Sequence, residues 1–268
     1  MKPSDKHWHN KAAWDRLAKK QDRLARPARE IDFADPLASV DGPGWLGGSI
    51  FGKRVLCLAA GGGRQGPIYA TAGAEVTVVD LSPVMLELDK KVAAERKLNL
   101  RTLETSMDDL SELGDGTFDI VIHPVSTCYL PEVTKTYQEV ARVLTGGGIY
   151  ISQHKQPTSM QAGIEPEQGS YRLQQSYFFK QPLPKLSKPN LVREDGTQEY
   201  IHRWEELIGH MCRAGLFIED LTEPLHAKPD AVVGSFEHRS QFIAPYVRIK
   251  ARKYGPAKSK SKSMLIQP

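Results

Sequence analysis

Short apolar segments alternate with helix-like segments from residue 54 to residue 153. RVLCLAA at 54–60 lacks the polar alternation of a half-exposed strand, which predicts a strand covered on both faces. Strands are predicted at 54–60, 75–80, 101–105, 118–123 and 148–153, with helices reaching to Ala72, from Ser82 and Pro83 to about Lys97, and over 131–144. Strict alternation of this kind predicts an α/β fold: a doubly wound, mostly parallel sheet with helices on both faces.

The segments on either side of this core predict additions to the sheet. Near the start of the chain, Trp8, Trp14 and Leu24 recur at about helical spacing behind a capping Ser4, and the Gly- and Pro-rich run at 35–52 predicts a connector. After a long insertion at about 155–200, the chain returns to a helix at 205–214 and strands at 216–222 and 241–251, which predict a final antiparallel hairpin and seven strands in all. We therefore predict an N-terminal helical arm with its connector over 1–50, a main domain over 51–252 and a disordered basic tail over 253–268.

Composition narrows the class of protein. A chain of 268 residues, 40% hydrophobic and 25% charged, is typical of a globular protein. No apolar run approaches the roughly eighteen residues of a membrane span, and the N-terminus lacks the apolar middle of a signal peptide, so we expect a cytoplasmic protein. Cys57, Cys128 and Cys212 are odd in number and far apart, which predicts buried small side chains, with no disulfide framework and no metal site.

Part of the formal charge of +4 lies in the C-terminal tail. Lys258, Lys260 and Lys262 alternate there with serines, and they could attract phosphates. Because no aromatic residues are interleaved with them, the pattern favours a solvated tail over nucleic-acid binding.

A glycine-rich turn follows the first predicted strand, in the run AAGGGRQG. Gly61, Gly62 and Gly63 lack a Cβ, so the backbone can turn sharply and approach a ligand closely. Asp80 comes nineteen positions after Gly61, at the end of the second strand, where a carboxylate can accept hydrogen bonds from both hydroxyls of a ribose. Turn and acid together predict an adenosine-containing ligand, and the same spacing also occurs in nicotinamide-dependent dehydrogenases.

Four segments, in order, decide between these two classes of enzyme. They are VLCLAAGGGRQGPIYATAGAEVTVVDLSPVMLELD, SMDDL, FDIVIHPVSTCYL and EVARVLTGGGIYIS. Together they resemble the class I S-adenosylmethionine-dependent methyltransferases, and within these a ubiquinone-biosynthesis-like group with a GGG turn. A helix that ends in RVL before a Gly-rich turn and the fifth strand is a feature that dehydrogenases rarely share.

The resemblance implies S-adenosyl-L-methionine as the cofactor and assigns residues to it. Ala59 to Gly63 would line the methionine part, Asp80 would hold the ribose, and the backbone of Met107 would face the adenine. The implied cofactor-binding residues are Ala59, Ala60, Gly61, Gly62, Gly63, Arg64, Gln65, Asp80, Leu81, Ser82, Ser106, Met107, Asp108, Pro124, Val125 and Ser126.

Two positions depart from the pattern of the resembling family. Ser106 stands where many relatives carry an aspartate for the adenine amino group; Asp108 is either its substitute or a helix cap. Cys57 replaces an acidic residue that is common in the first strand.

Methyl transfer is a direct displacement, which needs alignment of the reactants more than a dedicated acid or base. An O–H or N–H nucleophile can nevertheless require a base, and His123 at the end of the fourth strand is our candidate. The alternative is that His123 packs or hydrogen-bonds within the core. His154 and His202 are weaker candidates of the same kind.

The acceptor site is expected to come from the added segments. Aromatic residues of the arm and insertion would roof it: Trp8, Trp14, Tyr171, Tyr177, Phe178 and Phe179. Alternatively, these side chains only pack the two segments onto the domain. Because the sequence lacks a dense basic face with interleaved aromatics, we expect a small-molecule acceptor; a dehydrogenase and a cofactor-binding protein without catalysis remain as alternatives.

Overall fold

The computed structural model of the protein describes residues 5–185 and 192–255, which are organised around a seven-stranded sheet. Its strands are β1 (Arg54–Leu58), β2 (Glu75–Asp80), β3 (Leu100–Glu104), β4 (Phe118–His123), β5 (Leu144–Lys155), β6 (Leu216–Thr222) and β7 (Tyr246–Lys253). They lie in the order β3-β2-β1-β4-β5-β7-β6. The first five strands are parallel to one another in the sheet, and β7 pairs antiparallel with β5 and β6. The predicted sheet, with its final antiparallel hairpin, is confirmed.

Helices cover both faces of the sheet, because successive side chains of a strand point to opposite sides. On β1, Leu56 and Leu58 join one hydrophobic core, whereas Val55 and Cys57 join the other. The helices are α1 (Asp5–Lys19), α2 (Glu30–Ala34), α3 (Pro36–Val40), α4 (Gln65–Thr71), α5 (Pro83–Arg96), α6 (Thr134–Val143), α7 (Pro157–Gln161), α8 (His210–Arg213) and α9 (Phe236–Arg239). α6 and α8 pack on the first core, and α3 and α4 pack on the second.

The strand order reverses at β1, which has β2 on one side and β4 on the other. From β1 the chain proceeds through α4 and α5 to β2 and β3, and then crosses back to β4. The loops at the carboxyl ends of β1 and β4 therefore diverge and leave a crevice, which is where open α/β sheets bind ligands.

Several predicted boundaries are wrong for local reasons. The strand predicted at 241–251 begins only at Tyr246, because Pro245 has no N–H to donate to a ladder. The Ser235 side chain, which accepts from the His238 N–H, begins α9 just before it. The helix predicted at 131–144 begins only at Thr134, after a turn led by Pro131.

Two other segments differ from the prediction in type. The helix predicted at 205–214 opens with a π-helical turn, Glu205–Gly209, before α8. The connector predicted at 35–52 contains α3, whose first turn is capped by the Asp35 carboxylate.

The N-terminal arm packs on α5 at the edge of the future site. Ala18 and Ala25 of the arm form one buried hydrophobic cluster with Met85 of α5, and the half-buried Trp14 packs against this cluster. In the structure the arm helix, α1, ends at Lys19, and Leu24 lies beyond it in a short 3₁₀ turn, Arg23–Ala25. The predicted cap Ser4 lies outside the described residues.

A buried arginine ties the insertion back to the domain. The guanidinium of Arg239 on α9 donates to the carbonyl oxygens of Ser159 at 2.7 Å and Gly163 at 3.0 Å, and Nη1 donates to the Ser159 hydroxyl at 2.9 Å. These hydrogen bonds satisfy a charged group that is 2% exposed, so the beginning of the insertion is part of the core. Residues 186–191 of the insertion lie outside the described residues.

Two further sequence predictions concern the cysteines and the tail. Cys57 and Cys128 are buried as predicted, whereas Cys212 is exposed, so the prediction is wrong for Cys212. The tail from residue 256 onward, with its lysines, lies outside the described residues. Within the described ranges, no helix has the length and apolar character that crossing a membrane requires.

Candidate functional site

The turn after β1 is packed too closely for side chains. A Cβ at Gly61 would lie 2.8 Å from the Met85 Cβ and 3.0 Å from the Asp80 Cγ. A Cβ at Gly63 would lie 2.9 Å from the Leu88 carbonyl oxygen, and its φ of +72° favours glycine in any case. The glycines are therefore required because β2 and α5 press against this turn.

Asp80, at the end of β2, holds the turn from one side. Its Oδ2 accepts the Gly61 N–H at 2.9 Å, and its Oδ1 accepts the Ser82 N–H at 2.8 Å. Burial raises the pKa of Asp80 to about 6, although these hydrogen bonds oppose the rise. Because each carboxylate oxygen can accept a second hydrogen bond, Asp80 can still bind two hydroxyl groups.

Asp89, on α5, holds the turn from below, and the sequence analysis missed it. Its Oδ2 accepts the Gly62 N–H at 2.8 Å, and the side chain is fully buried. Burial raises the pKa of Asp89 to about 7. The thiol of Cys57 is close enough for Asp89 to raise its pKa further, after burial itself. An acidic side chain from α5 thus lies beside Cys57, the β1 position at which the resembling family commonly has an acidic residue.

Most of the predicted cofactor residues line one cavity of about 550 Å³ at the carboxyl ends of β1, β2 and β4. This volume lies within the usual range of small-molecule sites. The lining residues that the sequence predicted are Ala59, Ala60, Gly61, Arg64, Gln65, Asp80, Leu81, Ser82, Ser106, Met107, Pro124, Val125 and Ser126. We call this space the first cavity.

Three predicted cofactor residues lie outside the first cavity. Gly62 and Gly63 form the buried back of the turn. Asp108 accepts a hydrogen bond from the Ser106 hydroxyl and lies 3.7 Å from the His7 Nε2. Asp108 therefore orients the Ser106 side chain and lies next to the arm, and it does not line the first cavity.

The arm supplies one side of the first cavity, which sequence spacing alone could not indicate. Lys11 Nζ donates to the Leu81 carbonyl at 3.2 Å, next to Asp80. Asn10 Nδ2 donates to the Tyr129 carbonyl at 3.0 Å, and the rings of Trp14 and Tyr129 meet edge to face at 5.8 Å. These contacts hold α1 over the carboxyl end of the sheet.

Of the aromatic residues predicted to roof the acceptor site, Trp14 lines the first cavity and the others do not. Trp8 is 50% exposed, and Tyr171 packs on His238 and Phe242. Tyr177 and Phe178 contact each other edge to face. For the insertion, the predicted aromatic roof is wrong and the packing alternative is right, because these rings pack on each other and on the residues around α9.

His123, the predicted base, is enclosed by hydrogen bonds. Its Nδ1 lies 2.7 Å from the Tyr150 hydroxyl, and its Nε2 lies 2.7 Å from the Ser126 hydroxyl. Burial lowers the pKa of His123 to about 3, so the ring is neutral at neutral pH. These contacts fix Ser126 in the cavity wall; a catalytic role of His123 stays a prediction.

The two weaker histidine candidates are buried in the same way. His154 Nδ1 lies 2.9 Å from the Thr127 hydroxyl, and His202 Nε2 lies 3.0 Å from the Thr127 carbonyl. Burial lowers the pKa of both rings. Neither residue is part of the wall of the first cavity.

An ion pair beneath the far end of the first cavity comes from β5 and the insertion. Lys155 Nζ donates to Glu194 at 2.7 Å and to Glu199 at 2.9 Å. Burial alone would raise the pKa of Glu194, but the charge of Lys155 outweighs it and holds that pKa below its ordinary value. Glu194 lines the cavity, so this wall carries an ionised carboxylate whose charge Lys155 balances from behind.

His226 is a further cavity residue that sequence analysis missed. Its ring meets the Tyr246 ring at 5.5 Å, and both residues line the first cavity. The buried Nε2 has no hydrogen-bond partner within the described part of the chain. Burial, and then the charge of Arg248, lower the pKa of His226, so its ring is neutral at neutral pH.

Comparison with known proteins agrees with this geometry. The family described as "Methyltransferase domain" matches residues 56–152. The chain is 37% identical over 177 residues to an uncharacterized methyltransferase, YbaJ, of Bacillus subtilis. The aligned region covers 65% of this chain and 69% of that protein. The chain is also 31% identical over 99 residues to a ubiquinone biosynthesis O-methyltransferase of Xanthomonas oryzae, covering 37% of this chain and 41% of that protein.

The fold is similar to that of a solved structure of geranyl diphosphate C-methyltransferase from Streptomyces coelicolor, in complex with Mg²⁺, geranyl diphosphate and S-adenosyl-L-homocysteine. The TM-score is 0.63 at 13% sequence identity, over 94% of this chain and all of that chain (100%). At this identity the similarity concerns the fold alone.

Asp89→Asn tests the buried acid beneath the turn. The raised pKa means that the folded protein binds this proton more tightly than the unfolded chain, so ionisation of Asp89 lowers stability as the pH rises from about 4 through about 7. The variant lacks this titration, while its amide oxygen can still accept the Gly62 N–H. From pH 5 to pH 8 its stability relative to the wild type should rise by roughly 1 to 3 kcal/mol in urea unfolding. A pH-independent difference would contradict the assignment.

Lys155→Met tests the buried ion pair. It leaves the buried carboxylate of Glu194 without its cation and leaves Glu199 with Arg193 alone, at 3.7 Å, so the free energy of unfolding at pH 8 should fall by about 3 to 5 kcal/mol. The matched control is Lys90→Met, which removes an exposed pair with Glu87 and should cost under about 1 kcal/mol in the same urea unfolding experiment. Equal losses in the two variants would show that the buried pair has no special weight.

Proposed function

The chain belongs to the class I S-adenosylmethionine-dependent methyltransferases, and we propose that it binds the cofactor in the first cavity and methylates a small molecule. The observation that carries this proposal is Asp80: an ionisable carboxylate beside the glycine turn, facing a cavity of about 550 Å³ with acceptor capacity to spare. Membership in the family sets aside the nicotinamide-dependent dehydrogenase as an alternative.

The residues of the turn and strand ends would divide the cofactor among them. Asp80 would accept the two ribose hydroxyls, Ser106 and Met107 would lie beside the adenine, and the main chain at Ala59 to Gly61 would follow the methionine part. The sulfonium methyl would then point toward Pro124 to Ser126. This arrangement is supported by the common wall that these residues form.

The reaction forms a bond between the acceptor nucleophile and the methyl carbon while the carbon–sulfur bond breaks. The positive charge of the sulfonium disappears, so the protein mainly has to align the two reactants and exclude water. The far wall of the first cavity, with Tyr129, Gln153 and Tyr246, is where we propose that the acceptor lies. The ionised carboxylate of Glu194 would favour an acceptor that donates a hydrogen bond to it.

We propose His226, in preference to His123, as the base for an acceptor O–H or N–H. A base needs an unshared nitrogen lone pair within reach of the acceptor. Both nitrogens of His123 are engaged, whereas His226 lines the cavity and its Nε2 is unpartnered among the described residues; because this nitrogen is buried, the ring would rotate to present it to the acceptor.

A small-molecule acceptor is supported by the size of the cavity and by the fold neighbour that binds geranyl diphosphate. We further propose that the catalytic domain begins at residue 51, after an arm over 1–50. The predicted start of the tail at residue 253 is wrong, because Lys253 is the last residue of β7 and the Tyr254 N–H donates to the Gly215 carbonyl, so we propose a basic tail over 256–268. Action in the cytoplasm without nucleic acid is part of the same proposal and rests on the sequence.

Asp80→Asn tests the cofactor site directly. The amide cannot accept at both positions, so the variant should bind S-adenosylhomocysteine about ten- to a thousandfold more weakly, or about 1.4 to 4 kcal/mol, in titration calorimetry. Asp108→Asn is the comparison variant and should weaken binding less than Asp80→Asn does, because Asp108 lies outside the cavity and affects it only through the Ser106 hydroxyl. We chose asparagine because alanine would also leave the Gly61 and Ser82 N–H groups without an acceptor.

The same titration has an expected pH dependence. The ionised form of Asp80 accepts both hydroxyls, and its pKa of about 6 means that the fraction ionised falls as the pH drops below that value. The Kd of the wild type should therefore rise between pH 7 and pH 5, and that of Asp80→Asn should change less. Unchanged cofactor affinity in folded Asp80→Asn would remove the support for the assigned site.

His226→Gln tests the proposed base. With an acceptor that turns over in an assay with radiolabelled S-adenosylmethionine, kcat should fall by about 10²- to 10⁴-fold while the Kd of S-adenosylhomocysteine stays the same. His238→Gln is the matched control, because His238 is half-buried nearby and bonds to the Tyr171 hydroxyl outside the cavity. Equal activity of His226→Gln and wild type would exclude His226 as the base.

A further inference from the structure

A second cavity, of about 350 Å³, lies on the other side of the glycine turn, and four arginines line it. Arg23 and Arg26 come from the arm, Arg64 follows the glycines, and Arg248 is on β7. Segments that are far apart in sequence therefore place arginines around one space.

Close ion pairs with carboxylates are absent around these arginines in the described residues, although Arg64 is near enough to Asp32 to contribute to the lowered pKa of that carboxyl. Across residues 5–185 and 192–255, none of the four is in an ion pair; Arg26 Nε donates to a main-chain carbonyl and Arg248 Nε to the Gln153 side chain. Asp41 is the acidic residue of the wall, and its oxygens accept the N–H groups of Trp45 at 2.7 Å and Leu46 at 2.8 Å. The wall thus carries an excess of positive charge.

The cavity also touches the proposed reaction site. Gly61, Arg64, Gln65, Pro124 and Gln153 line both cavities. Gln153 in particular faces the proposed acceptor end of the first cavity, and its side-chain oxygen accepts from Arg248. A group bound among the arginines would therefore belong to a molecule that can reach the cofactor.

We propose that the second cavity binds a phosphate or diphosphate group of the methyl acceptor, so that the acceptor is a phosphorylated small molecule. This rests on the proposed function. Guanidinium forks match phosphate oxygens in pairs, and a group with two or more negative charges can engage several of them, whereas a single carboxylate cannot. The arginines would anchor one end of the acceptor and leave its nucleophile beside the transferable methyl group.

Inorganic pyrophosphate is the probe, titrated calorimetrically at low salt without divalent ions into the full chain, with and without saturating S-adenosylhomocysteine. We expect pyrophosphate to bind in both conditions. The double variant Arg23→Gln, Arg248→Gln should bind it about tenfold or more weakly, while its Kd for S-adenosylhomocysteine stays within about twofold of the wild type. Arg64 is left intact because it lines both cavities.

The double variant Arg101→Gln, Lys135→Gln is the matched control, since it also removes two positive charges: both residues are exposed, are in no ion pair among the described residues, and lie on β3 and α6, outside both cavities. It should leave pyrophosphate binding unchanged; a loss equal to that of Arg23→Gln, Arg248→Gln would reduce the effect to net charge and overturn the proposal. Competition between pyrophosphate and S-adenosylhomocysteine would assign the arginines to the cofactor carboxylate, and absence of pyrophosphate binding would exclude the site. If pyrophosphate binds but S-adenosylhomocysteine does not, the proposed function fails and the role of the cavity in acceptor binding fails with it, while the anion site stands.

Discussion

The glycine turn after β1 is held by two carboxylates, and the rest of the site depends on this arrangement. Asp80 accepts the Gly61 N–H and Asp89 accepts the Gly62 N–H, so two consecutive main-chain donors are fixed from different elements. Both acids pay a desolvation penalty, which appears as raised pKa values of about 6 and about 7. A turn fixed in this way presents a rigid main chain to a ligand, and β4 brings Pro124 to Ser126 to the opposite wall.

The two cavities differ in charge although they share the turn between them. The far wall of the first cavity has the carboxylate of Glu194, which Lys155 both keeps ionised and balances, and the second cavity has four arginines that are in no ion pair among residues 5–185 and 192–255. A displacement that removes a positive charge from sulfur depends above all on the alignment of the two reactants, so specificity comes from the contacts that orient the acceptor. Glu194 and the four arginines are therefore placed so that they can orient a molecule with a hydrogen-bond donor at one end and an anionic group at the other.

The sequence predicted the parts of this molecule that local pattern determines. Apolar runs gave β1, β2 and β4 because strands covered on both faces have no polar alternation, and the glycines and Asp80 were found because they stand at fixed distances from those strands. Asp89 was missed because an acid within a helix has the same local pattern whether it faces water or lies buried beneath a turn.

Residues that meet across long separations were also missed. Lys155 and Glu194 pair across the insertion, and Trp14 reaches the cavity because Asn10 bonds to Tyr129. Periodicity carries no information about such pairings. The aromatic residues of the insertion show the opposite error, since their composition suggested a ligand roof and their contacts are with each other and with α9.

A crystal structure with S-adenosylhomocysteine tests the central claim most directly, because it locates the ribose relative to Asp80. The account predicts both ribose hydroxyls within hydrogen-bond distance of the Asp80 carboxylate, the adenine beside Ser106 and Met107, and the sulfur directed toward Pro124 to Ser126. A ligand bound with its ribose away from Asp80, or seated among the arginines of the second cavity, would contradict it.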